Sequence, residues 1–341
     1  MTDLWQKLQN DSRPIVLYGM GNGAQAVLKQ LKKYGKKPVG VFASDAFVRG
    51  QQFCGYTVQT YTALSKQFSD MMILVCFGSN RAEVLDNIAY LSSKHTLYCP
   101  DVPVYGEQIF DISFARTHAE ELKKVYALLG DQASRQTFEN IIYFKLSGEL
   151  RYLQQCEYKK DLFAPIALND EEIYMDLGAY RGDTVAEFLQ KVNDYNKIYA
   201  LEPNGKTFKK LKENTQGLEN ILLCNAAVSD TDGTVYMKAD GRGTTVATAG
   251  NEIAAVTLDT LLEGTPATLI KMDVEGQEAA ALNGAKQTIR RWHPKMIVAA
   301  YHRSEDIFKL PLMVHSIAPD YKILLRHFPH NLAWDTDFYF I

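Results

Sequence analysis

Residues 173–183 read IYMDLGAYRGD, a short apolar run that leads into an acid, two glycines and a second acid. An apolar run that stops at glycines is typical of a strand entering a tight loop. The next residues, Thr184 to Glu187, fit the pattern of a helix capping box. A strand, a glycine loop and a helix in this order place the loop at the carboxyl edge of an open α/β sheet, where ligands bind. The stretch therefore predicts an α/β fold with a ligand crevice beside Gly178 and Gly182.

Strands and helical stretches alternate on both sides of this loop, which indicates three segments. Residues 1–105 hold apolar runs separated by helical patterns and predict a small Rossmann-like domain. Residues 106–165 repeat apolar residues at helical spacing and predict a helical connector. Residues 166–341 form the second α/β series. It is expected to contain a helix over 279–289 and a closing antiparallel hairpin from 321–325 and 338–341.

The composition is that of an ordinary globular protein. The chain has 341 residues, 46% hydrophobic and 23% charged, with a formal net charge of −3. These values exclude disordered and collagen-like chains, and the charge indicates no nucleic-acid partner. No apolar run approaches the roughly 20 residues that span a bilayer, and residues 1–14 lack a signal-peptide core. The five cysteines form no C-x-x-C pair, so reduced thiols and a cytoplasmic location are expected.

Two acids give the central crevice its chemical character. A pyrophosphate docked at the loop would meet the like charge of Asp176, whereas an ammonium or a sulfonium would be attracted. S-adenosylmethionine carries both cations and no phosphate. Glu202 ends the next strand, where a carboxylate can accept both hydroxyls of a ribose. The alternatives are a turn or capping carboxylate for Asp176 and a solvated strand-end charge for Glu202.

Several ordered motifs resemble those of the FkbM family of S-adenosylmethionine-dependent methyltransferases. The resemblance covers roughly residues 170–341, about half of the chain. It is carried by residues 174–183, 200–204, 225–230, 256–259 and 270–278, and by Tyr301-His302 and 325–327.

The resemblance implies a class I methyltransferase fold, with a mostly parallel seven-stranded sheet and one antiparallel strand near the C-terminus. It also implies methyl transfer from S-adenosyl-L-methionine to a hydroxyl of a small molecule or saccharide. Cofactor contacts are then expected at the first glycine loop, at the end of the second strand and near the adenine. These residues are Asp176, Gly178, Ala179, Tyr180, Gly182, Asp183, Glu202, Asn225 and Ala226.

Three side chains are the candidates for catalysis. Asp273 and Glu275 follow a central strand, at the edge where ligands bind. Asp273 is expected nearest the reacting centre, with Glu275 second. His302 ends the following strand and is a rival base. Each has a structural alternative. Asp273 could be a purely structural carboxylate, Glu275 a charge at a helix N-terminus, and His302 a hydrogen-bonded histidine at the sheet edge.

No metal site is expected. His327 and His330 flank a proline, and no cysteine or acid completes a ligand set with them. A divalent ion held by Asp273 and Glu275 is the less favoured alternative. The glycine-rich stretch 240–250 fits either a lid over the acceptor, with Arg242 meeting an anionic group, or a surface loop.

The N-terminal glycine loop is a weaker signal. Gly19, Gly21 and Ala24 fit a G-x-G-x-x-G/A pattern directly after a strand, and Gly23 lies in the same loop. A dinucleotide site would need an acid at the end of the second strand, but Ala43-Ser44 stand there and Asp45 comes later. The pattern from Asp45 to Val58 resembles the nucleotide-sugar-binding N-terminal domains of sialic-acid-type and bacillosamine-type acetyltransferases. It is also similar to the N-terminal extension of some FkbM proteins.

Two alternatives to a methyltransferase stay open at this point. The favoured interpretation of the N-terminal segment is a degenerate domain that orients the catalytic half. The chain could also form a homo-oligomer. The first alternative is an NAD(P)-dependent oxidoreductase or a nucleotide-sugar-binding protein that uses the N-terminal loop. The second is a non-enzymatic binding module with two vestigial crevices.

Overall fold

The computed structural model describes residues 2–240, 243–247 and 250–341, and the chain divides into two compact units. Unit 1 comprises Met1–Leu122, Arg135–Tyr158 and His327–Asp335. Unit 2 comprises Lys123–Ser134, Lys159–Arg326 and Thr336–Ile341. These units differ from the predicted boundaries at 105 and 165, because the 106–165 segment contributes to both. The division into three domains stays a prediction.

Unit 1 is built on a six-stranded sheet in the order β3-β4-β2-β1-β5-β6. The strands are β1 (Ile15–Tyr18), β2 (Gly40–Phe42), β3 (Gln52–Phe53), β4 (Tyr56–Gln59), β5 (Met72–Val75) and β6 (Thr96–Tyr98). All neighbours pair in parallel except β3, which runs antiparallel to β4. Strands β1, β2 and β5 are buried along their whole length, as expected for parallel strands covered on both faces. The predicted Rossmann-like sheet is therefore present.

The helices that accompany this sheet are α1 (Leu4–Asn10), α2 (Asn22–Lys33), α3 (Tyr61–Gln67) and α4 (Ala82–Lys94). The segment predicted to be helical contains α5 (Ile112–Thr117), α6 (Ala119–Leu128), α7 (Gln132–Ser147) and α8 (Leu150–Gln154). Its helical character follows from the apolar residues that it buries at helical spacing, such as Phe138, Ile141 and Phe144.

Unit 2 contains two sheets. Its strands are β7 (Ile173–Leu177), β8 (Lys197–Leu201), β9 (Ile221–Cys224), β10 (Ala226–Val228), β11 (Gly233–Asp240), β12 (Gly243–Ala247), β13 (Asn251–Val256), β14 (Leu269–Met272), β15 (Lys295–Ala299), β16 (Ile323–His327) and β17 (Thr336–Phe340). Its helices are α9 (Asp183–Leu189), α10 (Gly205–Asn214), α11 (Leu258–Leu262), α12 (Glu278–Asn283), α13 (Lys286–Trp292) and α14 (Asp306–Ile317).

The larger sheet has seven strands in the order β16-β17-β15-β14-β7-β8-β9. Strands β9, β8, β7, β14 and β15 pair in parallel, and β17 is antiparallel to β15. Lys322 and Ile341 exchange both backbone hydrogen bonds, which confirms the predicted closing hairpin. The single reversed strand near the C-terminus is the class I arrangement that the resemblance implied, and this prediction is confirmed.

The smaller sheet, in the order β10-β13-β11-β12, was not expected from the sequence. Strands β11 and β12 pair antiparallel across the stretch that predicts a lid or a surface loop. Arg242, the residue proposed to meet an anionic group, lies outside the described residues.

Two local predictions about helices are wrong. Helix α9 begins at Asp183 after Gly182, whose φ of 85° is left-handed, and no side chain caps it. The hydroxyl of Thr184 donates to Asp176 Oδ2 at 2.5 Å instead of capping the helix. The helix expected over 279–289 is divided into α12 and α13 around Gly284. A Cβ on Gly284 would lie 2.1 Å from the carbonyl oxygen of Ser229, so this glycine permits a close approach that a longer side chain forbids.

None of the helices in the described ranges has both the length and the apolar character needed to cross a bilayer. The five cysteines, all within those ranges, are free thiols.

The glycine loop after β7 gives a prediction about stability. A Cβ on Gly178 would lie 1.8 Å from the carbonyl oxygen of Asp273, and the residue has a φ of 81°. Gly217 has a φ of 89°, but a Cβ at this position would meet nothing within 4 Å, so it shares the backbone conformation without the clash. We expect Gly217→Ala to lower the free energy of unfolding by about 1 kcal/mol.

Gly178→Ala should lower it by at least about 2 kcal/mol more, because the end of β14 must move. Urea denaturation followed by circular dichroism measures both values. Equal losses in the two variants would show that the approach of the loop to Asp273 is not a constraint on the fold.

Candidate functional site

The glycine loop lies between the carboxyl ends of β7, β8 and β14. The backbone N–H groups of Gly178 and Ala179 both donate to the carbonyl oxygen of Leu201, at 3.0 and 2.9 Å. Tyr180 follows in a left-handed conformation, with a φ of 47°, and its side chain is 45% exposed. The loop is therefore bonded to the end of β8 through its backbone, while the Tyr180 side chain is partly exposed to solvent.

Glu202 joins the end of β8 to this loop. Its Oε2 accepts a hydrogen bond from the Tyr180 N–H at 3.1 Å, and its Oε1 accepts one from the Asn204 N–H at 2.8 Å. Burial raises the pKa of Glu202 to about 7, although these two N–H groups and the charge of Lys271 lower it. The carboxylate is thus fixed by backbone donors and titrates near neutral pH.

The two residues predicted near the adenine are placed directly after β9. Asn225 is exposed, and its side-chain amide donates to the carbonyl oxygens of Glu202 and Pro203 at 2.8 and 3.0 Å. Ala226 begins β10 and is 5% exposed. Asn225 therefore stabilises the turn after β8. This structural role is compatible with a ligand on the solvent side of Asn225.

Asp176 is not at the mouth of the loop. Its side chain is fully buried beneath the loop, where it accepts the Thr184 hydrogen bond and lies 3.4 Å from the Lys271 ammonium. Burial raises the pKa of Asp176, and the charge of Lys271 opposes this effect. Its charge is already paired within the protein, so direct attraction of a cationic ligand by this carboxylate does not fit the geometry. Asp183, in contrast, is exposed at the start of α9.

Lys271 is the residue that the sequence interpretation overlooked. It lies in the buried strand β14, and its Nζ donates to the carbonyl oxygen of Gly178 at 3.1 Å. The same Nζ lies 3.4 Å from Asp176 and 4.0 Å from Asp273. Burial opposes its charge, but the two aspartates raise the pKa of Lys271 overall. A lysine inside an otherwise apolar central strand was the available signal.

Asp273, Glu275 and His302, the three candidates for catalysis, come together at the end of β14. His302 Nε2 lies 3.5 Å from Asp273 Oδ1 and 3.7 Å from Glu275 Oε2. The hydroxyl of Tyr301 donates to both oxygens of Asp273, at 3.2 and 3.3 Å. The side chains of Asp273 and Glu275 are 37% and 46% exposed, whereas that of His302 is 2% exposed. The two acids are therefore accessible, and the histidine lies behind them.

Glu278 lies behind this group and was also overlooked. It is 1% exposed, and its Oε1 accepts hydrogen bonds from the N–H groups of Val274 and Gly276, at 3.0 and 3.4 Å. His302 Nδ1 lies 2.9 Å from the same oxygen. Burial alone would lower the pKa of His302, but the carboxylates of Glu278, Asp273 and Glu275 raise it to about 10. With no cation beside it, His302 therefore holds its proton at neutral pH, which does not suit the role of a base.

The N-terminal loop has the backbone of a nucleotide site without its acid. Gly19 and Gly21 have φ values of 107° and 114°, and a Cβ on Gly23 would lie 2.4 Å from the Cys76 carbonyl oxygen. At the end of β2, however, Ser44 stands where a ribose-binding acid would be needed, and its Oγ lies 2.7 Å from the Tyr18 hydroxyl. The described residues therefore give no specific support to a dinucleotide site in unit 1.

Comparison with known proteins agrees with the geometry of unit 2. Residues 176–325 match the methyltransferase FkbM domain, so the predicted FkbM-type methyltransferase region is confirmed. The crystal structure of a methyltransferase FkbM from Methylobacillus flagellatus KT is similar over 99% of this chain and 92% of its own, with 20% identity and a TM-score of 0.73. This similarity shows that the fold is shared along the whole chain.

Other solved structures are similar to about half of the chain. Fibrillarin from Aeropyrum pernix, with natively bound S-adenosyl-L-methionine, is 13% identical over 52% of this chain and 70% of its own, with a TM-score of 0.34. An rRNA methylase from Streptococcus thermophilus is 16% identical over 51% of this chain and 87% of its own, with a TM-score of 0.33. No curated protein matches the sequence significantly.

The buried pair of Lys271 and Asp176 gives a second prediction about stability. Lys271→Met removes the positive charge and leaves Asp176 buried without its partner, which should cost about 3 to 5 kcal/mol of unfolding free energy. In the double variant with Asp176→Asn, at least about 1 kcal/mol should return, because no buried charge is then left unpaired.

The matched control is Lys191→Met. Lys191 pairs with Asp161 at 3.0 Å, but both side chains are about one-third exposed, so less than about 1 kcal/mol should be lost. Urea denaturation compares the four proteins. A Lys271→Met protein as stable as the wild type would show that this pair does not stabilise the fold.

Proposed function

We propose that this chain, whose residues 176–325 match the methyltransferase FkbM domain, transfers a methyl group from S-adenosylmethionine to a hydroxyl of a small molecule or saccharide. The observation that carries the proposal is the meeting of a glycine loop, a strand-end acid and an accessible acid at one sheet edge. These are the loop at Gly178, Glu202 after β8 and Asp273 after β14. Open α/β sheets bind their ligands at this edge.

The cofactor side of the crevice suits a nucleoside without phosphates. Glu202 is held by two backbone N–H groups, so its carboxylate is oriented before a ligand arrives. A ribose diol can donate both of its hydroxyl hydrogens to such a group. The accessible carboxylates of Asp273 and Glu275 attract a sulfonium and repel a pyrophosphate. The positive charge of Lys271 does not change this preference, because it is already shared between Asp176 and Asp273.

The acceptor side needs a group that orients a hydroxyl. Asp273 is fixed by the Tyr301 hydroxyl and remains 37% exposed, so it can accept a hydrogen bond from the acceptor. The acceptor oxygen then forms a bond to the methyl carbon while the carbon–sulfur bond breaks, and that electron pair stays on sulfur. The hydroxyl proton passes to the Asp273 carboxylate, and the products are a methyl ether and S-adenosylhomocysteine. Holding the oxygen in line with the methyl group supplies several kcal/mol of the barrier reduction.

Titration calorimetry with S-adenosylhomocysteine tests the cofactor assignment. Since the pKa of Glu202 is about 7 and the diol prefers the ionised carboxylate, affinity should increase from pH 6 to pH 8 by roughly tenfold. Below the pKa, binding must first remove a proton, and above it this cost disappears. Glu202→Gln should abolish this pH dependence and weaken binding by about 1 to 3 kcal/mol.

Glu213→Gln is the control, because Glu213 is an exposed acid on α10 that pairs with Lys210. Its affinity and pH profile should equal those of the wild type. If neither S-adenosylhomocysteine nor S-adenosylmethionine produces heat or thermal stabilisation at any pH, the proposed function is wrong. If Glu202→Gln binds as the wild type does, only the ribose assignment fails.

Asp273→Asn tests the assignment of the acceptor side. Asparagine keeps the shape of the side chain but is a much weaker proton acceptor, so turnover should fall by roughly 10²- to 10⁴-fold. The affinity for S-adenosylhomocysteine should change by less than about threefold. The assay follows tritium transfer from methyl-labelled S-adenosylmethionine to a panel of methyl glycosides and polyols.

Asp320→Asn, at an exposed acid that faces His293, should leave that rate unchanged. Equal turnover in Asp273→Asn and the wild type would exclude this carboxylate from the transfer step.

A further inference from the structure

We propose that Asp273, Glu278 and His302 form a binding site for a divalent cation, which would lie beside the acceptor hydroxyl. This inference rests on the proposed function only for the role of the ion, because the site itself follows from geometry. Two carboxylates and one imidazole are a donor set that suits Mn²⁺ or Zn²⁺ better than Ca²⁺. The expectation of no metal at this edge rested on Asp273 and Glu275 alone.

The donor atoms of the three side chains are spaced for one ion. One oxygen from each of the two acids and one His302 nitrogen all lie within 4.8 Å of one another. The closest pair, His302 Nδ1 and Glu278 Oε1, is 2.9 Å apart. Two neighbouring ligands on an ion with bonds of about 2.1 Å lie about 3 Å apart. The His302–Glu278 pair already has this spacing, whereas the Asp273 oxygen must move closer to share the ion.

Two buried polar atoms of this group lack hydrogen-bond partners among the described residues. Glu278 Oε2 accepts no hydrogen bond, although the side chain is 1% exposed. His302 Nδ1 is close to Glu278 Oε1 but is not aligned for a hydrogen bond with it. A buried polar atom without a partner costs about 1 to 3 kcal/mol. A cation would compensate both atoms at once.

Carboxylates predominate among the charged side chains next to His302. Three carboxylates, from Asp273, Glu275 and Glu278, surround the single imidazole of His302. The nearby ammonium of Lys271 is closer to Asp176 than to Asp273, at 3.4 Å against 4.0 Å. The carboxylates that surround His302 therefore favour a positive charge at the centre of the group.

The exposure of the group shows which side of the ion would stay open. Glu278 and His302 are buried, whereas Asp273 is 37% exposed, so an ion bound here would be held from behind and accessible from the crevice. Catalytic metal sites keep such an open position for water or substrate. An acceptor hydroxyl in that position would lose its proton more readily than a free one, and the Asp273 oxygen that does not bind the ion would accept it.

The test uses the full-length chain after treatment with EDTA and dialysis. Calorimetric titration with MnCl₂ and ZnCl₂, and the loss of the free Mn²⁺ electron paramagnetic resonance signal, should each show one ion per chain. Glu278→Gln and Asp273→Asn should each weaken binding at least tenfold. Glu263→Gln should bind as the wild type does, because Glu263 is an exposed acid that precedes β14, at the end opposite Asp273.

Absence of binding of either ion to the wild type would overturn the inference, and a proton on His302 would then be the positive charge of the group. Wild-type affinity in Asp273→Asn would also overturn it. Because Asp273 is partly exposed, Asp273→Asn still tests the site if the variant at the buried Glu278 fails to fold. A parallel titration with S-adenosylhomocysteine in EDTA separates the two proposals. Cofactor binding without ion binding removes only the cation site, whereas ion binding without cofactor binding removes only the methyltransferase proposal.

Discussion

The buried ammonium of Lys271 is the interaction on which the rest of the site depends. It joins the ends of two strands, β7 and β14, because it contacts the Gly178 carbonyl oxygen, the Asp176 carboxylate and, more distantly, Asp273. A charge in a buried strand is tolerated only when it is paired and hydrogen-bonded. The same pairing that makes Lys271 stable inside the sheet therefore sets the position of the glycine loop relative to the acid at the end of β14.

Around this centre, the site is arranged as two layers of acids. Glu202, Asp273 and Glu275 border the crevice, while Asp176 and Glu278 lie beneath it and are held by Lys271, Thr184 and backbone N–H groups. The buried layer fixes the loops, and the bordering layer is left to meet a ligand. Glu202 is the most buried of the bordering acids, at 8% exposure, and this burial raises its pKa.

The sequence predicted the parts that repeat a pattern and missed those that depend on tertiary contacts. The mostly parallel seven-stranded sheet and its reversed strand followed from the family resemblance. Asp273, Glu275 and His302 meet because successive parallel strands end at one edge. The burial of the Asp176 side chain could not be predicted from the sequence. A side chain at the end of a strand faces the solvent or the core according to the residues that pack against it. Lys271 and Glu278 were within a quoted motif, but their partners come from distant segments. Thr184 fitted a capping box because local spacing cannot show that a buried carboxylate competes for its hydroxyl.

The close approach of Gly178 to the carbonyl group of Asp273 links the two halves of the crevice through main-chain atoms. Neither the loop nor the strand end can shift far without displacing the other, since both are backbone. A movement of the glycine loop would therefore displace the backbone that carries Asp273, and a movement of that backbone would displace the loop in turn.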